Sequence, residues 1–253
     1  MLSPRPPAVL VTGGARRIGA IIARSFAQAG WHVVIHHKDS HDEAEALAAT
    51  LPSAEIVQCD LADISASAAM IAALAARLDD WRVLVNCAAV FHEDTAQCLD
   101  PDVFLEAVTV NAGAPARMAQ VFLAQARAQS GRRVIDLTDM KIANPNPDFF
   151  SYTMAKHAFA ATVRMMAMAQ QDPADRIYGL APGAMLPSFD QAPEEHLTSG
   201  RMNLLARLTE PQELADAALF LAEGWLASGE TLFVDSGQHL LAQPRDVLFL
   251  ARE

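Results

Sequence analysis

The chain has 253 residues, with 19 Lys and Arg against 30 Asp and Glu, a net charge of −11 that excludes nucleic acid and anionic membrane as general partners. It is 52% hydrophobic, enough for a sizeable core, yet no run reaches the roughly 18 apolar residues of a membrane span, and Met1 to Pro7 lacks the apolar centre of a signal peptide. Cys59, Cys87 and Cys98 have neither disulfide-framework nor zinc spacing, and no histidine pair has metal spacing with an acid, so the expectation is a metal-free protein of the reducing cytoplasm.

Short β-branched runs alternate with Ala-rich helical ones. Ala8 to Val11 reads as a strand, Arg17 to Ala29 as a helix closed by Gly30, and Val33 to Ile35 as the second strand. A helix from Glu43 to Leu51, a strand at Glu55 to Val57 and a helix from Ser65 to Leu78 follow. Val83 to Val85 is a fourth strand before a long helical region from about Pro101 to Ala128. Then come a strand at Arg133 to Ile135, a helix from Phe150 to Ala169, a strand at Arg176 to Leu180, a helix from Pro211 to Ala222 and a strand at Thr231 to Val234. Near-continuous apolar strands alternating with helices predict an α/β fold: one doubly wound, Rossmann-like parallel sheet with helices on both faces. The even alternation offers no cut, so residues 1–253 are read as a single domain.

The turn after the first strand reads Thr12-Gly13-Gly14-Ala15-Arg16-Arg17-Ile18-Gly19. Gly13 and Gly14 permit positive φ, Gly19 permits close helix–strand packing, and the helix N-terminus offers free N–H groups to a pyrophosphate. Arg16 and Arg17 stand where the helix dipole disfavours cations, which makes sense beside a bound anion. Strand two ends His36-His37-Lys38-Asp39-Ser40. An acid near that strand end binds the ribose of NAD; His37, Lys38 and Ser40 instead predict the 2′-phosphate of NADP. Asp60 follows strand three, where it can meet an adenine amine.

Farther on, Tyr152 and Lys156 are four apart and share one helix face. An ammonium beside a phenol favours the phenolate, so the pair predicts a lowered phenol pKa and acid–base work. Asp139 lies at the end of strand five, where parallel sheets put their ligand-handling groups, and if ionised beside Tyr152 it raises the phenol's pKa while Lys156 lowers it.

Together these residues resemble the short-chain dehydrogenase/reductase family over nearly the whole chain. Thr12-Gly13-x-x-x-Arg17-Ile18-Gly19 resembles its cofactor turn, Asp60-Leu61 its adenine pocket, and Asn86-Cys87-Ala88-Ala89 its strand-four end. Asn111 resembles its helix asparagine, Tyr152 and Lys156 its catalytic pair, and Pro182-Gly183 its nicotinamide-side turn. Two departures matter: Arg17 replaces the usual glycine, and Asp139 replaces a serine thirteen positions before the tyrosine. Those changes, with Phe91 shortly after strand four, resemble the pteridine reductase branch. The resemblance implies an NADPH-dependent reductase of a C=N bond in a pterin or dihydrofolate-like substrate. It implies that Tyr152, Lys156 and Asp139 handle the proton, that Lys156 holds the nicotinamide ribose, and that Asn111 supports a water-linked proton route. Phe91 is expected to stack on the pterin, and Arg17 to reach substrate or phosphate. The donor–acceptor argument agrees: a serine hydroxyl suits a ketone oxygen, whereas a carboxyl can accept from a ring N–H or pass a proton.

Met185, Phe189 and Met202, in the irregular stretch after Pro182-Gly183, are candidates for a substrate lid. The resemblance implies a homotetramer or dimer, with the tail from Leu240 to Glu253 as an intersubunit surface and Arg245 or Arg252 reaching a neighbour's site. Two rival functions are a carbonyl or 3-oxoacyl reductase on the same scaffold and a catalytically silent NADP-sensing binding protein.

Overall fold

In the computed structural model, residues 6–188 and 190–253 are described. Phe189 and residues 1–5 of the N-terminal segment lie outside the described residues. The described residues form β1 (Ala8–Val11), β2 (His32–His37), β3 (Ala54–Gln58), β4 (Trp81–Asn86), β5 (Arg133–Leu137), β6 (Arg176–Pro182) and β7 (Thr231–Val234). They pair in the order β3-β2-β1-β4-β5-β6-β7, and every pairing is parallel.

Successive side chains on a strand point to opposite faces, and the cores follow that alternation. Val9 and Val11 of β1, Val83 and Val85 of β4, and Ile135 and Leu137 of β5 join one apolar cluster. Leu10, Leu84 and Val134, one position away, join the other. Helices α1 (Arg17–Gln28), α2 (His41–Ala48) and α8 (Pro211–Ala222) bury residues in the first cluster. Helices α3 (Ile64–Arg77) and α5 (Ala114–Gln125) cover the second. Both sheet faces are therefore dry, which is why the strands read as apolar runs and not as alternating ones.

The long helical region expected from Pro101 to Ala128 is divided. Helix α4 (Pro101–Val108) passes through a π-helical turn at Thr109–Gly113 into α5, which ends at Gln125. Such a turn breaks the regular hydrogen-bond ladder and concentrates at functional sites. The remaining helices are α6 (Phe150–Ala169), α7 (Pro193–Ser199) and the short α9 (Val247–Leu250).

The chain runs outward from β1 to β3 and then returns to place β4 beside β1. A crevice opens at the carboxyl ends of the strands where that order reverses. Thr12 fixes the spot: its Oγ1 accepts from the N–H groups of Cys87 (2.9 Å) and Ala88 (3.0 Å), tying the end of β1 to the end of β4.

Candidate active site

The crevice is a cavity of about 590 Å³, within the range of small-molecule sites. Most of the residues singled out from the sequence line it: Gly13, Arg16, Arg17, Ile18, Gly19, His37, Lys38, Ser40, Asp60, Leu61, Ala88, Phe91, Asp139, Tyr152, Lys156, Pro182 and Gly183.

At one end lies the glycine turn. Gly13 has φ +62°, open to glycine, and a side chain on Gly19 would collide with the Gly13 carbonyl. His36 holds the turn in place. The Gly13 N–H donates to its Nδ1 (3.1 Å), so Nε2 carries the proton and donates to the Cys59 carbonyl (3.0 Å). Burial lowers its pKa to about 4, so this tautomer persists at neutral pH. Arg17 takes φ +51°, the left-handed region in which an L side chain costs about 1–2 kcal/mol. That is the backbone reason the family favours glycine there. In return its guanidinium crosses the crevice and donates to the Pro187 carbonyl (2.9 Å).

The ring of His37, against the cavity wall, has neither nitrogen partnered although the residue is only 2% exposed. Lys38 pairs with Asp60 at 3.0 Å, and Arg16 lies 3.6 Å from Glu43 on the surface. An unpartnered imidazole beside a lysine, a serine and the start of α1 is the donor set that an adenosine phosphate needs. A dinucleotide phosphate fits these residues.

At the centre, the Tyr152 hydroxyl donates to Asp139 Oδ2 (2.7 Å). Asp139 Oδ1 accepts from the Lys141 N–H (2.9 Å), capping the short 3₁₀ turn at Met140–Ile142. One carboxylate oxygen therefore serves the backbone and the other serves the phenol. Lys156, 3% exposed, donates to the Leu137 carbonyl (2.6 Å), and its ammonium lies 5.7 Å from the Tyr152 ring centre. The expectation that Lys156 lowers the phenol's pKa is corrected. Burial raises Tyr152 well above its ordinary value, and the charge and hydrogen bond of Asp139 raise it further. The group is a held phenol, hence a proton donor. Burial likewise lowers Lys156 and pushes the Cys87 thiol to about 12, so Cys87 stays protonated. Behind them, burial raises Asp136 to about 7.

Two asparagines spend their side-chain amides on the scaffold. Asn86 does not line the cavity; its Nδ2 donates to Asp136 Oδ1 (2.8 Å) between neighbouring strands. Asn111 sits in the π-helical turn and spends both ends of its amide on Val90, accepting from its N–H (2.8 Å) and donating to its carbonyl (2.9 Å). Its side chain shapes the segment leading to Phe91.

Phe91 is also corrected in part. Its ring stacks on Phe149 at 4.0 Å and meets Tyr152 edge-on at 4.6 Å. Phe149 thus takes one face of the ring expected to hold a pterin. Phe149 itself has φ +52° at the start of α6, a second strained position at this site. Met185 is buried, 4% exposed, and lines the cavity, while Met202 does not line it.

The tail folds onto its own chain. Arg245 Nε donates to both oxygens of Asp148 (3.0 and 2.8 Å), and Arg252 pairs with Asp190 and Glu195, each at 3.2 Å. Asp246, Val247 and Leu248 line the cavity. His36, Phe149, Lys141 and Asp246 went unread as site residues. The Asp-Met-Lys and Asp-Phe-Phe-Ser-Tyr sequences flanking the catalytic loop were the available signals, but a side chain's direction is not written in them. Among the described residues, no group of three His, Cys, Asp or Glu is arranged to hold a metal ion.

A family model described as Enoyl-(Acyl carrier protein) reductase matches residues 13–239. Among solved structures, FolM alternative dihydrofolate reductase 1 from Brucella canis, complexed with NADP, is 32% identical with a TM-score of 0.87, over 96% of this chain and 97% of that one. Granaticin polyketide synthase putative ketoacyl reductase 2 from Streptomyces violaceoruber is 26% identical over 94% of this chain and 98% of its own length. Pteridine reductase 1 from Leishmania tarentolae is 25% identical over 94% of this chain and 98% of its own length.

Proposed function

The chain belongs to the short-chain dehydrogenase/reductase family, and on that premise we propose that it is an NADPH-dependent reductase acting on a C=N bond of a pterin or dihydrofolate-like substrate. The observation that carries this reading is the hydrogen bond from Tyr152 to Asp139 at 2.7 Å. A ketone reducer keeps a hydroxyl at that position to donate to a carbonyl oxygen. A carboxylate instead suits a ring that presents nitrogens and N–H groups.

Bound NADPH supplies the hydride, which forms the new C–H bond. The electron pair of the C=N bond moves onto nitrogen, and that nitrogen takes a proton from the Asp139–Tyr152 pair. The high pKa of Tyr152 keeps this proton in place until the nitrogen becomes basic. Lys156, buried behind the pair, offsets the negative charge that remains. Asp139 is half-exposed to the cavity, so solvent can return the proton through it.

Purified protein with NADPH tests the reading against a panel of dihydropterins, dihydrofolate and simple ketones. Oxidation of NADPH with a dihydropterin or dihydrofolate and little with ketones is expected. The reverse pattern would establish the second reading, a carbonyl or 3-oxoacyl reductase, which draws on the ketoacyl reductase relative. NADPH binding with no oxidation on any compound would establish a silent sensor.

Selection for NADPH rests on Lys38. It both donates to a 2′-phosphate and neutralises Asp60, which otherwise repels that phosphate. Lys38→Ala is expected to weaken NADPH binding about 10–100-fold, the scale of a charged hydrogen bond, and to leave NADH within about 2-fold. Fluorescence titration with both nucleotides checks this; equal loss on the two would assign Lys38 to folding of the loop.

We read the assembly as a cytoplasmic homotetramer. Three unpaired cysteines support a reducing compartment, and no helix among the described residues is long and apolar enough to cross a membrane. Exposed Leu105 of α4 and Met165 and Met168 of α6, on helices in mutual contact, support an apolar self-association face.

A further inference from the structure

The C-terminal segment brings a second carboxylate to the cavity. Asp246, 8% exposed, lines it together with Lys141, 4% exposed, and Asp139. The Lys141 ammonium pairs with Asp246 Oδ2 at 2.6 Å and lies 5.0 Å from the Phe149 ring centre. Its other partners, Asp148 O at 3.4 Å and Asn146 Oδ1 at 3.5 Å, are distant. Asp246 Oδ1 accepts from the Leu248 N–H (2.9 Å). An ionised carboxylate has about four acceptor positions. Leu248 and Lys141 fill two, which leaves two for a ligand. Asp246 lines the same cavity as Tyr152.

A buried ion pair is a poor source of stability, because desolvation offsets most of its attraction. Nor is this pair needed as a tether. Arg245 and the Asp246 N–H already bind the segment to Asp148, which does not line the cavity.

We infer that Asp246, delivered by the C-terminal segment and held by Lys141, is a specificity-determining residue whose carboxylate receives the amino and amide N–H groups of the substrate's 2-amino-4-oxo pyrimidine ring. This rests on the pterin reading of the same site. A ketone has no such N–H donors and gains nothing from Asp246, so the residue separates the two substrate classes. A site built around hydrogen bonds rejects analogues that lack them more strongly than an apolar site does.

The test uses the whole chain with saturating NADPH and dihydrobiopterin. Asp246→Asn, and Asp246→Ser, which keeps a cap for α9, are expected to raise the KM about 10–100-fold while kcat stays within about 3-fold. NADPH affinity should not move. On the unaltered protein, a lumazine, with oxo in place of the 2-amino group, should bind about 10–100-fold more weakly than the matching pterin. An unmoved KM in both Asp246 variants, or equal lumazine and pterin binding, would overturn the inference while leaving pterin reduction intact. Wild-type silence toward every dihydropterin would instead remove the reading beneath it.

Discussion

Replacing Tyr152 with phenylalanine is expected to lower turnover of a dihydropterin about 10²–10⁴-fold, the usual contribution of a positioned acid. NADPH affinity should stay within about 2-fold, because the substitution removes one oxygen and leaves the ring packed edge-on against Phe91. The hydroxyl donates to Asp139, so the lost bond is also the proton path under test. The pH dependence distinguishes a held phenol from a poised phenolate. Burial and Asp139 raise the Tyr152 pKa, so its protonated, donating form persists through neutral pH and is lost only above the ordinary tyrosine range. Wild-type kcat should therefore show no decline assignable to Tyr152 below about pH 10. Stopped-flow measurement of hydride transfer across pH checks both statements. Unchanged turnover in the phenylalanine variant would refute the role, and a Tyr152-dependent decline near neutrality would restore the phenolate.

The fold was legible because its signals are local and repeated. Val9 and Val11 against Leu10 are indistinguishable in a sequence, yet a run apolar on both faces already implies a sheet covered on both faces. The glycine turn and the Tyr152–Lys156 spacing were legible for the same reason: each is fixed by backbone geometry over a few residues. What failed depended on tertiary direction. Asn86 and Asn111 carry the right residue types at the right places, but one amide turns to Asp136 and the other to Val90. The Tyr152 shift follows first from burial of the ring and then from which neighbour touches its hydroxyl. Helical spacing brings Lys156 to the same face, but a loop from a different element brings Asp139 within 2.7 Å. Phe149 meets Phe91 through its own left-handed backbone, Asp246 reaches the cavity through a folded-back tail, and neither has a periodic signature.

Replacing Asp139 with serine should convert the preference of the site more than it damages the fold. Asp139 does two jobs through two oxygens. Serine is as good a cap as aspartate, so the bond to the Lys141 N–H can be kept at little cost in stability. It cannot supply the negative charge, and its shorter side chain leaves the phenol free to point into the cavity. With Asp139 gone, its charge and hydrogen bond no longer raise the phenol, and the Tyr152 pKa should fall toward the level that burial sets. The chain has two tyrosines, Tyr152 and Tyr178, and burial also raises Tyr178, so an ultraviolet titration should resolve the shift. A phenol with a lower pKa beside a serine hydroxyl is the arrangement that suits a carbonyl oxygen. The ratio of kcat/KM for a dihydropterin to that for a simple ketone is therefore expected to fall about 100-fold, or roughly 2.7 kcal/mol of differential transition-state binding. Most of that change should come from loss on the pterin side, because serine lacks the carboxylate that serves a ring nitrogen or N–H. Loss of equal size on both substrates, with an unmoved tyrosine titration, would leave Asp139 as a cap alone. The carboxylate would then say nothing about which double bond the enzyme reduces.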